Sequence, residues 1–178
     1  CATCAADGAC ELQDMCIRFG FAGTRYRAPR NEGAVLDENP FLAFDPKLCI
    51  RCERCIGACN NGAHNHVLQA HRRGARTTIE APFGEAWKQT TCESCGECAQ
   101  ACPTGAISLK RQRSYDAHTA KRVLTTCPHC GVGCQMNLIV DDGRIVDAEA
   151  AAGPSNKQML CVKGRSGSFD FVDSDRRL

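Results

Sequence analysis

Cysteine is the one residue type in this 178-residue sequence whose number and spacing point directly to chemistry: there are 16, in four groups. These are Cys1, Cys4, Cys10 and Cys16; Cys49, Cys52, Cys55 and Cys59; Cys92, Cys95, Cys98 and Cys102; and Cys127, Cys130, Cys134 and Cys161. A content of roughly 9% is close to the level of a cysteine-built scaffold. Thiols at two-residue spacing suit metal binding better than disulfides, and a reducing compartment keeps such thiols available. The expected location is therefore cytoplasmic.

The two central groups form an internal repeat. A shift of 43 positions carries the second group onto the third, and Ala58-Cys59-x-x-Gly62-Ala63 onto Ala101-Cys102-x-x-Gly105-Ala106, which marks a duplicated unit. A [4Fe-4S] cube needs four thiolates, and a C-x2-C-x2-C loop can wrap three of them around it. In runs that continue x3-C, the fourth cysteine points away and ligates the other cube. The expected ligand sets are thus Cys49, Cys52, Cys55 with Cys102, and Cys92, Cys95, Cys98 with Cys59. Pro103 ends the second run in Cys-Pro and fixes φ just past the ligand, whereas Asn60 follows Cys59. Zinc is the rival ion, but zinc sites usually present two separated C-x2-C pairs, and three thiolates in succession, twice over, favour iron and sulfide.

The fourth group has the form C-x2-C-x3-C-x26-C and lies within Thr-Cys-Pro-His-Cys-Gly-Val-Gly-Cys, with Cys161-Val-Lys-Gly-Arg at its far end. Gly131 and Gly133 allow backbone N–H groups to approach cluster sulfides with no Cβ in the way. A lone Gly-x-Gly is poor support for a nucleotide loop.

Taken together, the C-P-H-C-G-V-G-C run, the strand pattern that follows it and the C-V-K-G-R ending resemble the N-terminal cluster domain of molybdenum- or tungsten-dependent bis-pterin oxidoreductases, most closely the formate dehydrogenase alpha subunit. Cys1-x2-Cys4-x5-Cys10-Glu11-Leu12-Gln13-Asp14 is similar to the His-Cys box that this subunit shares with the complex I large subunit and iron-only hydrogenases. The resemblance implies a [4Fe-4S] cluster on Cys1, Cys4 and Cys10, with a histidine ligand that would precede Cys1. It implies another on Cys127, Cys130, Cys134 and Cys161, and a place for Lys163 on the electron path between that cluster and the pterin. It further implies three to four [4Fe-4S] clusters in this chain, a Mo- or W-bis-molybdopterin guanine dinucleotide in the full-length protein, and a flavin/NAD-binding, diaphorase-type partner subunit with a small iron-sulfur subunit. No catalytic residue is expected within the 178 residues: the formate-oxidising groups would lie beyond Leu178, and both ends are expected to continue. Rival readings are another bis-pterin enzyme such as a nitrate reductase, a hydrogenase-linked subunit, a free-standing multi-cluster carrier, and a zinc-stapled interaction module.

The elements that must position these thiols are short. Aromatic residues make up 6% of the chain and apolar positions come in small groups, so conventional cores are small and cluster binding must supply folding energy. Residues 20–40 have loop punctuation, 75–81 and 107–109 suggest short strands, and 110–122 read as a second linker that a helix could occupy. A hairpin is expected from 135–140, a tight turn at Asp142-Gly143, and 144–148. The expected fold class is α+β: a His-Cys box module with linker (1–40), a two-cluster [4Fe-4S] ferredoxin-like domain (41–112), and a small β-hairpin [4Fe-4S] domain (120–178) that opens the bis-pterin oxidoreductase fold.

Charge adds little. With 22 Lys+Arg against 20 Asp+Glu, long-range attraction to nucleic acid or a membrane surface is not expected, and no apolar run has the length of a membrane span. The basic runs around Arg72, Arg73 and Arg76, and Lys110, Arg111 and Arg113, read as solvated faces. Cys16 reads as a buried free thiol, and His64, His66 and His71 as surface side chains. His129, between two ligands, could hydrogen-bond a cluster sulfur or simply be exposed.

Overall fold

The computed structural model describes residues 1, 4, 6–26, 32–110, 114–167 and 172. Helices are short: α1 (Glu11–Arg18), α2 (Arg54–Gly57), α3 (Glu97–Gln100) and α4 (Val162–Ser166). Three small antiparallel sheets accompany them, in the α+β arrangement expected from the sequence. Among the described residues no helix is long and apolar enough to cross a membrane.

The duplicated unit is closed by its own ends. Strand β1 (Leu42–Phe44) pairs with β4 (Ile107–Leu109), Leu42 opposite Leu109 and Phe44 opposite Ile107. Alternation sends all four of these side chains inward, where they pack with Val67, Leu68, Ile79 and Trp87. Cys55, Cys59 and Cys98 belong to the same core. Phe44 and Trp87 stack with ring centroids 5.9 Å apart, so the largest aromatic body in the unit sits against a strand that borders the cysteines. Between the two cysteine runs, β2 (Gln69–His71) pairs with β3 (Thr78–Glu80).

The last sheet runs β5 (Lys121–Thr126), β6 (Gln135–Asp141), β7 (Arg144–Ala150), with β6 in the middle. Asp142 (φ 46) and Gly143 (φ 73) both take left-handed backbone, which a two-residue turn matching the strand twist demands. Met136, Ala148 and Ala150 face a second small core containing Cys127 and Leu160.

Two local expectations need correction. The segment 110–122 is not helical where it is described: a turn spans 117–119 and β5 begins at Lys121. The β-branched and aliphatic Val123, Leu124, Thr125 and Thr126 pair along β6, and the basic Lys121 and Arg122 sit on the resulting edge strand, where charge discourages further pairing. The strand expected over 75–81 is confined to Thr78–Glu80, because a 3-10 turn at Gly74–Arg76 occupies the start. In the segment 20–40, the described residues carry one isolated bridge, Leu36 to Phe44.

Candidate metal centres

Each cysteine loop of the duplicated unit is shaped by left-handed residues at alternate positions: Arg51 (φ 59) and Glu53 (φ 62) in the first, Ser94 (φ 54) and Gly96 (φ 79) in the second. The same conformations thus recur 43 residues on. Such alternation turns backbone N–H groups toward the loop's interior, and the Arg51 N–H lies 3.4 Å from Cys49 Sγ. The helices α2 and α3 then start directly after Glu53 and Gly96 and carry the chain on toward Cys59 and Cys102.

Cys102 meets the first loop. Cys49, Cys52, Cys55 and Cys102 line one small cavity together with Phe44, Ile79, Thr104 and Ile107. Burial pushes the Cys55 thiol up to about 12, and repulsion from Cys102, Cys49 and Cys52 adds to it. Cys49 is raised by burial as well, with the Arg51 N–H pulling the other way. In the second loop burial holds Cys98 well above its ordinary value, and the charges that add to this belong to Cys95, Cys55, Cys92 and Cys59. Cys55 and Cys59 thus both lie within electrostatic reach of Cys98, and the three are buried in one core, so the two groups are neighbours.

The chemistry of this donor set suits a cluster. Four thiolates crowded in a low-dielectric interior repel one another and are costly to desolvate, and iron charge removes both penalties. Among the described residues no three His, Cys, Asp or Glu side chains converge closely enough to grip a single metal ion. Four thiols that wall one cavity without converging on a single point are the donor set of a multi-atom inorganic core and not of one zinc at about 2.3 Å from each sulfur.

Polar side chains that the sequence pattern did not single out organise these loops. Asn39 accepts the N–H groups of Phe41 and Leu42 at 2.9 and 3.0 Å and donates to Ser94 Oγ at 2.9 Å, which leaves its amide nitrogen 3.8 Å from Cys92 Sγ. The Asn65 amide is 4.0 Å from Cys95 Sγ. Thr104 donates to the Leu48 carbonyl at 2.8 Å, with Cys102 Sγ 3.8 Å away. The clue in the sequence was position alone, since each lies close to a strand or loop that carries ligands.

In the fourth group, the Cys127 N–H donates to the Cys134 carbonyl at 2.8 Å and closes the loop ahead of β6. The Cys134 thiol is raised by burial and by the proximity of Cys127, Cys130 and Cys161. Gly164 brings α4 against this loop: a Cβ there would stand 3.4 Å from Cys127 Sγ and 3.2 Å from Leu160 Cδ2. Lys163 is exposed on α4, and His129 is exposed in the loop near Gly167.

In the first group, Cys1 is exposed and Cys4 and Cys10 are half-buried, with Cys10 directly preceding α1. The Glu11 N–H donates to the Pro103 carbonyl at 2.9 Å and the Glu11 carboxylate pairs with Arg54 at 2.7 Å, so this segment docks beside Cys102. The Ala117 N–H donates to the Gly8 carbonyl at 2.9 Å, and His118 Nε2 lies 3.2 Å from the Asp14 carboxylate. Cys16 is half-buried on α1, and His64, His66 and His71 are exposed.

Comparison with known proteins matches residues 48–106 to the 4Fe-4S dicluster domain and residues 120–172 to the molybdopterin oxidoreductase Fe4S4 domain. Over its whole length the chain is 31% identical to the alpha subunit of an NADPH-Fe(3+) oxidoreductase from Geobacter sulfurreducens and 30% identical to a subunit of an NADH-quinone oxidoreductase from Rhizobium meliloti. Over 97% of its length it is 24% identical to a formate dehydrogenase-type protein of Staphylococcus aureus. It spans 21% of each of these relatives. A solved NAD+-reducing [NiFe]-hydrogenase shares the fold, with a TM-score of 0.57 and 24% identity over 64% of this chain and 48% of that one.

Proposed function

We propose that this chain, a 4Fe-4S dicluster domain followed by a molybdopterin oxidoreductase Fe4S4 domain, relays electrons through protein-held [4Fe-4S] clusters within a formate dehydrogenase catalytic subunit. The observation that carries the relay is adjacency: Cys55 and Cys59 of one thiol group and Cys98 of the other are buried in a single core. The proposed ligands are Cys49, Cys52, Cys55 and Cys102; Cys92, Cys95, Cys98 and Cys59; Cys127, Cys130, Cys134 and Cys161; and Cys1, Cys4 and Cys10 in the first group.

A bound [4Fe-4S] cluster supplies one-electron chemistry at a potential set by burial, nearby charge and hydrogen bonds to its sulfurs. The chain's own residues do the rest. Leu42, Phe44, Ile107 and Leu109 share a core with Cys55, Cys59 and Cys98 and keep water from these three thiols. Asn39 and Asn65 hold polar hydrogens near Cys92 and Cys95, and the Thr104 hydroxyl oxygen lies beside Cys102. Lys163, two residues past Cys161, would bridge from the fourth group toward a bis-pterin molybdenum or tungsten of the whole protein. The contacts support a linear order: the fourth group next to Cys92–Cys98 through Leu160 and Glu97, then the Cys49–Cys55 group, then the first group through Pro103 and Glu11. A flavin/NAD-binding subunit is the proposed next partner, in keeping with relatives that are subunits of NAD(P)H-linked oxidoreductases.

Formate as the ultimate donor rests on the resemblance of the C-P-H-C-G-V-G-C and C-V-K-G-R segments and on the Staphylococcus relative. The higher identity of the NADPH- and NADH-linked relatives favours a second reading, a relay segment in which the same clusters serve a different electron donor. The test of the relay is anaerobic reconstitution with iron and sulfide counted per chain. About 12 to 16 iron atoms, as three or four cubes, are expected; a value near four, or a colourless product, would end the multi-cluster reading.

A further inference from the structure

We propose that the buried pair Arg165 and Glu97 couples two neighbouring clusters, fixing Cys161 against the Cys92–Cys98 loop and setting the difference between their reduction potentials. This deepens the relay reading and rests on it.

Arg165 is 1% exposed and is among the largest fully buried side chains in the molecule. It leaves α4 and enters the second cysteine loop. Its Nε donates to the Cys95 carbonyl at 2.9 Å, Nη1 to Gln100 Oε1 at 2.5 Å, and Nη2 to the Glu97 carboxylate. The same Glu97 oxygen accepts the Leu160 N–H at 2.9 Å, and Gln100 Oε1 accepts the Ala150 N–H at 2.9 Å. Glu97 immediately precedes Cys98, and Leu160 immediately precedes Cys161. One carboxylate thus joins a ligand of one group to a ligand of the next by a single hydrogen bond.

The duplication supplies an internal control. At the position of Gly96, the first loop carries Glu53 with nearly the same left-handed backbone, φ 62 against 79. The loop itself therefore tolerates a side chain. At Gly96 a Cβ would stand 2.2 Å from Arg165 Cδ, so the glycine belongs to the arginine and not to the turn. The second copy has been shaped to receive Arg165, and the first has not.

Stability alone is a poor account of the arrangement. A buried ion pair recovers its desolvation cost only with good geometry and further hydrogen bonds, and apolar residues of similar volume often do as well. What the pair adds is a fixed register and a charge beside two cysteine groups. A cation next to a cluster favours its reduced, more negative state, and an anion opposes it. Besides Glu97, the charged side chain that acts on Arg165 from the sheet is Asp147, on β7. Removing either member of the pair leaves the other uncompensated, so the two removals must shift the neighbouring potential in opposite directions.

The experiment is an EPR-monitored redox titration of the anaerobically purified full chain, with iron and sulfide measured on every sample. Glu97→Gln, nearly isosteric, should raise the potential of the cluster on Cys92, Cys95, Cys98 and Cys59, and Arg165→Gln should lower it. Arg165→Lys should stay near the parent, and the double variant Glu97→Gln/Arg165→Gln should return toward it. Shifts of the same sign, or none, at parent iron content overturn the role given to the pair. If Arg165→Gln loses iron, the sign of the Glu97→Gln shift decides: upward supports the proposal, downward or absent overturns it. A parent chain without iron overturns the relay reading, and this proposal with it.

Discussion

Asn156 grips the backbone of Gln135 from both sides, its Oδ1 accepting the N–H and its Nδ2 donating to the carbonyl, each at 3.0 Å. The same amide nitrogen reaches the carbonyls of Ala151 and Met159 at 3.1 and 2.9 Å. This clamp ties the loop leading to Cys161 onto the first residue after Cys134. Asn156→Ala strands several buried backbone groups, and the expected cost is ~3 kcal/mol. Chemical denaturation should read that loss, and iron analysis should show about four atoms fewer per chain, from the fourth group alone.

The proposed exchange of the fourth ligand between the two copies makes an asymmetric prediction. Cys102→Ala should damage the cluster on Cys49, Cys52 and Cys55, whose cavity Cys102 helps to wall, and spare the one on Cys92, Cys95 and Cys98. EPR of the reduced protein distinguishes the two signals. Loss of the sequence-local cluster instead would disprove the crossed assignment.

Equivalent positions in the two loops should respond in opposite ways. Gly96→Ala combines left-handed backbone with a collision against Arg165 and should cost ~2–4 kcal/mol. Glu53→Gly removes a side chain from the same strained region at an exposed position and should leave stability unchanged or raise it by up to about 1 kcal/mol. Paired unfolding curves test this, and equal destabilisation would argue against a special requirement at Gly96.

A pH effect follows from Asp147. Burial raises its carboxyl above the ordinary value of 3.8, the Ala148 N–H opposes that, and Tyr115 bonds to it. A carboxyl raised by folding favours the native state while protonated, and that contribution fades as the pH climbs through the folded value. Asp147→Asn has no such dependence. Its unfolding free energy relative to the parent should therefore increase as the pH rises above the ordinary carboxylate range, as urea titrations at a series of pH values would show. A gap that narrows with rising pH would contradict the sign.

The parts of the fold written in periodic patterns were legible in the chain. Regular thiol spacing fixed the duplicated unit, and Asp142-Gly143 marked a turn that needs two left-handed residues. Strand β5 escaped because its first residues, Lys121 and Arg122, look like linker, and only pairing with β6 gives them a partner. Strand β2 escaped for a related reason: Gln69, Ala70 and His71 are all exposed, so no alternation betrays them. Around the cysteines, Asn39, Asn156 and Arg165 act across separations of 55, 21 and 68 residues. A lone polar residue carries no period, and its role is set by which distant backbone it meets.

Cys55, Cys59 and Cys98 are walled in by the same side chains that close the dicluster unit. Cys52, by contrast, stands exposed at the rim of the same unit. The first loop is therefore dry on its inner side and wet at one corner. Whatever inorganic centre those thiols hold would meet dissolved oxidants at the Cys52 corner first, so damage from air should begin there and spread inward toward Cys55.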